Sequence, residues 1–519
     1  MRSRKWLRIA LVLMVLLGVA LLATGVTAWS RSKVPQLKST AVSTAQDTAA
    51  RSAEGSGTAA AIPEPAQGGK WESGDMHTHT YLTDGARTQV EVAEKALGEY
   101  GLDWFANSEH GGMGNHDPFG TPVVATPRWW SLMNWSWPII RDLRLSFPDK
   151  ILLQAEEWNV PTHEHASVGF VSQEPAALAE FDYRFDGHST STSFPGSPPK
   201  DNDTALSAVN GVEWLEANHA DSSYLVLNHP SKALAYKPSD VRDFIAAGPR
   251  VTAGFEGMPG YQKDPDRGDY GSKNPLARTY QGADIWLAKV GGVWDSILAN
   301  GSRFHTFANS DFHNTTTSFW PGEYAKNWTF VSEPGDMTSL VDGLKSGRSF
   351  SSFGDLIDGL EFSAEGDGTK VEMGRDALTV SRGNGALVTI KFHTPATNND
   401  GSSPKVDHLD LISGSVTGPA VKGTTSWDAS TNPSAEVIRT FKAENLRELG
   451  NGWYAATYSL PSIHGSMYLR LRATNLAPNT PGMTDAAGNP MMDAVGANSP
   501  ANAWKSLWFY SNPLWIDVR

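Results

Sequence analysis

The sequence contains no cysteine. This absence excludes disulfide bonds, thiolate nucleophiles, cysteine-ligated zinc and iron–sulfur clusters, so any metal site must use histidine and carboxylate ligands. Positive charge is also scarce: 43 Lys and Arg stand against 56 Asp and Glu, and the net charge of −13 excludes a general nucleic-acid-binding surface. The apolar share of 40% excludes disorder of the whole chain, and 519 residues predict more than one structural unit.

The N-terminus has the pattern of an export segment. Four basic residues within the first eight positions precede a run from Ile9 to Trp29 that contains no charged residue. At ~1.5 Å per residue this run is just long enough to span a bilayer core, and small residues at Val26-Thr27-Ala28 fit a cleavage site. Residues 1–30 are therefore predicted to be either a cleaved signal peptide or a membrane anchor, and 31–70, rich in Ala, Ser and Thr, a disordered linker. We expect the protein in a bacterial-type envelope, periplasmic or extracellular, with residues 9–29 as its only membrane contact.

The middle of the chain, residues 71–355, alternates short apolar runs with helix patterns. The apolar runs are typical of buried parallel strands, and each ends in residues that can bind a metal. These runs are 102–106, 151–155, 224–227 and 304–308. Between them, Thr88-x-x-Glu91 is a capping box, and 239–248 and 338–347 also read as helices. An α/β barrel or open α/β sheet is predicted, with its site at the carboxyl ends of the strands.

From residue 356 to 519 the pattern changes to alternating runs separated by Gly, Asn and Pro. Runs such as 386–392, 453–460 and 467–473 predict a C-terminal antiparallel β-sandwich. Its three histidines form no ligand-like pair.

Histidine is concentrated in the middle region, where 11 of the 14 lie between His77 and His313. Because residues two apart in a strand share a face, His77-x-His79 presents two imidazoles to one metal ion, and Asp311-x-His313 presents a carboxylate and an imidazole in the same way. Either pair alone is a modest signal. Their occurrence together with several other strand ends in His, Asp or Glu predicts a metal centre.

These motifs, taken in order, resemble those of the PHP (polymerase and histidinol phosphatase) superfamily. The motif segments are His77-x-His79, Thr83-Asp84-Gly85, Ser108-Glu109-His110, Ala155-Glu156-Glu157, Asn228-His229-Pro230 and Ser310-Asp311-x-His313. The chain looks most similar to the exported PHP enzymes of the carbaryl hydrolase type. That resemblance implies a distorted (βα)7 TIM-like barrel with two or three divalent ions, Zn, Mn or Fe, at its strand ends.

Carried over position by position, the resemblance implies nine metal ligands: His77, His79, Asp84, His110, Glu157, His165, His229, Asp311 and His313. Two positions stay open, since Glu156 is an alternative to Glu157 and His163 an alternative to His165. Glu109 replaces the family's Asp and is expected to orient a ligand. Glu256, at another strand end, is interpreted as structural.

The implied function is metal-dependent hydrolysis of a phosphoester, or of a related ester, carbamate or amide, in a small-molecule substrate. Asp311 is the candidate for holding or deprotonating the attacking water, and His229 is the second catalytic candidate. The alternative is a non-catalytic binding protein that recognises a cell-surface glycan or protein through the barrel mouth and the β-sandwich. Trp129, Trp130, Trp135 and Trp137 form either an aromatic wall over a substrate or a lid.

Overall fold

The computed structural model describes residues 68–171 and 173–519, so the predicted export segment and linker lie almost wholly outside the described residues. Strands occupy β1 Lys70–Asp75, β2 Trp104–His110, β3 Met113–His116, β4 Pro122–Pro127, β5 Ile151–Asn159, β6 His165–Phe170, β7 Ser223–Leu227, β8 Thr252–Met258, β9 Thr279–Tyr280, β10 Ala283–Asp284, β11 His305–Ala308, β12 Ala325–Val331, β13 Ser349–Phe353, β14 Gly359–Gly366, β15 Thr369–Glu372, β16 Ala377–Val380, β17 Ala386–His393, β18 His408–Ser415, β19 Glu436–Lys442, β20 Arg447–Gly450, β21 Trp453–Leu460, β22 Met467–Thr474, β23 Trp508–Ser511 and β24 Leu514–Val518.

Helices occupy α1 Gln89–Ala93, α2 Arg128–Ser131, α3 Trp137–Ser146, α4 Ala176–Phe185, α5 Ala205–His219, α6 Pro238–Ala247, α7 Ile285–Ala288, α8 Val293–Ala299, α9 Met337–Ser346 and α10 Pro500–Lys505. Two π-helical segments, Glu94–Glu99 and Leu132–Ser136, continue α1 and α2. Among these described helices, none has the length and apolar character needed to cross a membrane.

The local signals in the sequence explain where these helices begin and end. The Thr88 hydroxyl accepts the backbone N–H of Glu91 at 3.1 Å, which caps α1 as predicted. Both other predicted helices are present as α6 and α9. Gly347 ends α9 with a φ of 75°, a left-handed conformation that glycine adopts without a steric penalty.

The chain is an α/β protein built on one 15-stranded sheet. Its order is β11-β8-β7-β6-β5-β2-β1-β12-β13-β23-β22-β18-β19, with β24 pairing with β22 and with β16. The predicted strands β2, β5, β7 and β11 are present, and the pairs β1–β2, β2–β5, β7–β8 and β8–β11 are parallel. Because parallel strands end at the same edge, this part of the sheet gathers their carboxyl ends on one side.

A closed (βα)7 barrel is not confirmed among the described strands. β6 is antiparallel to both β5 and β7, and β11 does not pair with β1. The gap is bridged by side chains: the Asn309 amide oxygen accepts the N–H of Met76 at 3.1 Å, and Asn327 hydrogen-bonds both the N–H and the C=O of Ala308 at 2.7 Å. Beyond the ends of these strands the backbone meets at a parallel bridge between Thr78 and Phe312, where the N–H of His79 donates to the C=O of Phe312 at 2.8 Å. Asparagine amides and this bridge therefore take the place of a continuous ladder.

The C-terminal part contains the expected β-rich structure. A separate antiparallel sheet has the order β15-β14-β17-β21-β20. In β17 alternate residues from Ala386 to Phe392 are buried, and they belong to the same apolar cluster as Leu469 and Leu471 of β22. β16 and β24 pair in parallel, which differs from the all-antiparallel expectation. The predicted division near residue 355 stays a prediction; the large sheet continues across it through the β13–β23 pair.

Candidate metal centre

Glu157 is the central residue of a buried cluster at the strand ends. It lies in β5, is 1% exposed, and its carboxylate contacts five imidazoles. The partner nitrogens are His77 Nε2 at 3.0 Å, His79 Nε2 at 3.1 Å, His110 Nδ1 at 3.0 Å, His165 Nδ1 at 3.1 Å and His229 Nε2 at 3.2 Å. The strand ends predicted to carry ligands therefore meet at one carboxylate.

Asp311 and Asp84 form the other acidic sides of the cluster. One oxygen of Asp311 lies 3.2 Å from His77 Nε2 and 3.3 Å from His79 Nε2, and His313 Nδ1 is also 3.3 Å away. Asp84 lies 3.3 Å from His313 and 3.4 Å from His110, and it is 55% exposed, so the cluster opens to solvent on its side. All nine residues predicted as ligands are thus brought together.

Several polar atoms in this cluster converge without forming hydrogen bonds. Both ring nitrogens of His79, Nδ1 of His165 and Oδ1 of Asp311 are buried and have no hydrogen-bond partner, although a carboxylate or imidazole atom lies 3.1–3.7 Å from each. Buried polar atoms are normally paired. Atoms that point towards a shared centre instead of towards each other are arranged as ligands, and imidazole with carboxylate suits a divalent transition metal. The arrangement indicates divalent-metal binding.

The electrostatics of Glu157 fit this arrangement. Burial by itself disfavours its ionised form, but His77, His165 and His110 outweigh burial and hold the pKa of the carboxyl well below its usual value. The carboxylate is therefore ionised at neutral pH and able to bind a cation.

The structure places the two alternatives at each open position, Glu156 or Glu157 and His163 or His165, in different surroundings. Glu157 faces the cluster, whereas Glu156 points to the opposite side of β5, beside Asp182 and Asp186. His165 belongs to the cluster. His163 lies outside it, with Nε2 3.4 Å from Asp240 and its ring stacked on another aromatic side chain.

Groups around the cluster fix the orientation of its members. Glu109 accepts the backbone N–H of Thr80 at 3.1 Å and the hydroxyls of Thr80 and Thr83, which holds the turn between His79 and Asp84. The Asn228 amide donates to Glu157 at 3.0 Å. Asp75, fully buried, accepts the N–H groups of His77 and Ser310 and so joins two of the strand ends.

Glu256 has a role that the sequence analysis did not anticipate. Its carboxylate lies 3.0 Å from His77 Nδ1 and also accepts the backbone N–H of His229 at 3.0 Å. A carboxylate on the outer nitrogen of a ligating histidine selects its tautomer and fixes its ring. Its place at the end of β8 was the one available signal, and nothing in the sequence showed which histidine it would meet.

Replacing Glu256 by glutamine tests this orienting role. The amide keeps the size and one acceptor oxygen but removes the negative charge, so we expect metal affinity to fall about 10–100-fold with the fold retained. Affinity is measured by competition with a chromophoric chelator. Glu361→Gln, at a surface ion pair with Lys391, is the matched control and should bind metal normally. Equal affinity for both variants would contradict the role.

Two cavities involve residues singled out in the sequence, and one of them reaches the cluster. One, of about 520 Å³, includes His165 in its wall together with Asn159, His188 and Asn202. The other, of about 530 Å³, is lined by Trp129, Trp130 and Trp135. Trp137 lines neither cavity and packs beside the Arg144 guanidinium. The first cavity therefore reaches the cluster at His165.

The fold and the cluster together define an α/β protein with a buried histidine- and carboxylate-rich cluster suited to divalent metal ions. No family model and no curated protein matches the chain. The solved structures that are similar to the chain at low level include three of different description. A two-domain protein of Bacteroides vulgatus ATCC 8482 that contains a predicted PHP-like metal-dependent phosphoesterase is 13% identical, with a TM-score of 0.35 over 82% of this chain and 94% of that one.

The other two similarities are weaker. A glycoside hydrolase family 30 subfamily 8 xylanase of Clostridium acetobutylicum is 11% identical, with a TM-score of 0.23 over 76% of this chain and 95% of that one. A chitin binding domain of Burkholderia pseudomallei is 10% identical, with a TM-score of 0.14 over 28% and 57% of the two chains. TM-scores of this size do not establish a common fold.

Proposed function

We propose that the chain is an exported metal-dependent hydrolase of the PHP type that acts on a phosphoester or a related ester, carbamate or amide. The observation that carries the proposal is Glu157, a buried ionised carboxylate within 3.0–3.2 Å of five imidazole nitrogens. A protein without a cation there would bury this cluster with many unpaired polar atoms. The order of the motifs supports the PHP assignment, and the N-terminal run 9–29 supports export.

The cluster divides into overlapping groups of ligand atoms. These are His77–His79–Glu157–Asp311, His79–Asp84–His110–His313, His110–Glu157–His165 and Glu164–His165–His229. Neighbouring groups share His79, His110, Glu157 or His165, which supports two or three adjacent ions. Such ions, when bound, supply Lewis acidity and lower the pKa of the water that they bind to about 7.

Two side chains of the cluster have proposed roles in the hydrolysis itself, Asp311 and His229. Burial disfavours ionisation of Asp311, but His77 and His313 outweigh it and hold the pKa of the carboxyl well below its usual value, so Asp311 stays ionised at neutral pH. An ionised Asp311 can hold and orient the attacking water by accepting a hydrogen bond from it. His229 is 3% exposed, and its Nδ1 has no hydrogen-bond partner. We propose that this nitrogen of His229 contacts the oxygen of the leaving group.

The test uses the full-length chain loaded separately with Mn²⁺ or Zn²⁺. Metal content is measured first, and hydrolysis of phosphomonoesters, phosphodiesters, carbamates and carboxylic esters is then followed. We expect more than one equivalent of metal per chain and turnover of one substrate class, both lost in His77→Ala. His464→Ala, in the C-terminal part, is the control. A metal-free protein with no turnover would favour the glycan- or protein-binding alternative.

The pKa values of the cluster predict how pH acts on the metal-free chain. Burial opposes protonation of His165 and His313, but Glu157 raises the pKa of His165 to about 9, and Asp311 raises that of His313 to about 10. The pKa of a histidine in the unfolded chain is about 6.5. Stability from these protonated imidazoles is therefore complete below about pH 6.5 and lost as the pH rises through about 9–10.

We accordingly expect the Tm of the chelator-treated protein to fall between about pH 6.5 and 10, and to fall less once metal is added. Bound metal replaces the protons, since a coordinating histidine must be neutral. Thermal unfolding is measured at each pH in both states. His165→Gln should weaken the pH dependence of the metal-free form. Identical pH profiles with and without metal would contradict the assignment.

A further inference from the structure

A second group of carboxylates lies behind the metal centre, on the opposite side of β5. Glu156, Asp182 and Asp186 each place one oxygen within 4.8 Å of the others. All three side chains are buried, with no exposed surface. None of them belongs to the histidine cluster.

Two of these carboxylates are already held by backbone N–H groups. Asp182 accepts from Gly112 and from Trp129, each at 2.8 Å. Asp186 accepts from Asn159 and from His188, again at 2.8 Å. The Asn159 side-chain amide also donates to both oxygens of Asp186, at 3.0 and 3.2 Å. Both carboxylates are therefore fixed in place, and each oxygen of Asp182, which accepts one hydrogen bond, keeps a second lone pair for another partner.

Glu156 has no such partner. Neither of its oxygens forms a hydrogen bond, although both are buried. A buried carboxylate without a partner is strongly unfavourable. Its position within reach of Asp182 and Asp186 points to a group between the three that the protein side chains do not supply.

Charge gives a second indication. Arg128 is the nearby cation, fully buried, yet it donates only to the Ser131 hydroxyl at 3.3 Å, while its Nε and Nη2 have no partner. Lys200 is a second cation close enough to act electrostatically on Asp182 and Asp186, and burial disfavours its charged form as it does that of Arg128. Neither cation hydrogen-bonds Glu156, so the Glu156 carboxylate remains without a protein partner.

We propose that Glu156, Asp182 and Asp186 form a separate site for a hard divalent cation, Ca²⁺ or Mg²⁺. Its donors are all carboxylate oxygens, the ligands that these ions prefer, whereas the other centre is dominated by imidazole. The site joins β5, one residue before Glu157, to the Gly112 turn that follows His110. A cation there would link β5 to the end of β2, the strands that contain Glu157 and His110 of the histidine centre.

The experiment separates the two centres by their metal preference. The full-length protein is stripped with chelator, saturated with Zn²⁺, and then dialysed against Ca²⁺ in one arm and Mg²⁺ in the other. Bound metals are counted by elemental analysis. We expect one equivalent of Ca²⁺ or Mg²⁺ beyond the zinc, and the arm that gains it identifies the ion.

Glu156→Gln is the decisive variant because Glu156 accepts no hydrogen bond that the amide would lose. It should bind wild-type zinc but lose the hard cation. Glu72→Gln, another buried glutamate with one unpartnered oxygen, should keep both. If circular dichroism shows Glu156→Gln to be unfolded, Asp182→Asn takes its place. A wild-type protein that gains neither Ca²⁺ nor Mg²⁺, or a folded variant that keeps the extra equivalent, overturns the proposal; loss of zinc alone counts against the histidine centre.

Discussion

Replacing Glu157 by glutamine is expected to strip the protein of most of its metal and to abolish metal-dependent hydrolysis. The reason is geometric, because this single carboxylate lies within 3.2 Å of five imidazoles that belong to several overlapping ligand groups. Residues that only orient a ligand change affinity about 10–100-fold. Loss of the shared ligand should therefore exceed about 100-fold, and it should affect every ion of the centre together.

Metal content after dialysis and kcat/KM with added metal are the two readouts for Glu157→Gln. Glu72→Gln, which changes a buried glutamate at the start of β1, is the matched control and should behave as wild type. Circular dichroism separates loss of metal from loss of fold. A folded Glu157→Gln protein with the full metal content and turnover would remove the basis of the proposed centre.

The second large effect is expected from Asp295→Ala and concerns stability. Asp295 in α8 and Arg470 in β22 form a bidentate ion pair with distances of 2.9 and 2.8 Å, and neither side chain is exposed. Tyr468 and the N–H of Gly291 also donate to the same carboxylate. Removing it leaves the Arg470 charge buried and unpaired, which costs about 3–5 kcal/mol.

Urea unfolding followed by tryptophan fluorescence measures this loss as a lower midpoint. Arg250→Ala provides the comparison, because its pair with Glu216 lies at the surface, with the arginine side chain 57% exposed. Exposed pairs contribute little. The Arg250 variant should keep the wild-type midpoint, and an Asp295→Ala midpoint equal to it would show that the buried pair does not stabilise the fold.

Most of the predicted ligand positions could be found from the sequence, because each motif is a short stretch of neighbouring residues. Strand ends in His, Asp or Glu were visible, and so were the caps at Thr88 and Gly347. The choice between Glu156 and Glu157 was not, since neighbours in a strand point to opposite faces and the sequence does not show which face meets the histidines. In the structure Glu157 is surrounded by imidazoles, whereas Glu156 lies beside two other carboxylates.

The features that the sequence analysis missed depend on contacts between distant segments. The antiparallel direction of β6 follows from its pairing with β5 and β7, and its apolar run would serve a parallel strand equally well. The contact of Glu256 with His77 joins residues 179 positions apart. No local pattern encodes either feature, because both are decided only when the strands assemble.

The pairing of β13 with β23 makes the two halves of the chain difficult to separate. Phe350, Ser351 and Ser352 find their ladder partners more than 150 residues later, between Phe509 and Ser511. A protein truncated after residue 355 would expose that edge, an open template for aggregation, and would leave Asp295 without Arg470. Expression of a folded histidine cluster therefore requires the chain through Arg519, and the N-terminal half is not a module that could be transplanted alone.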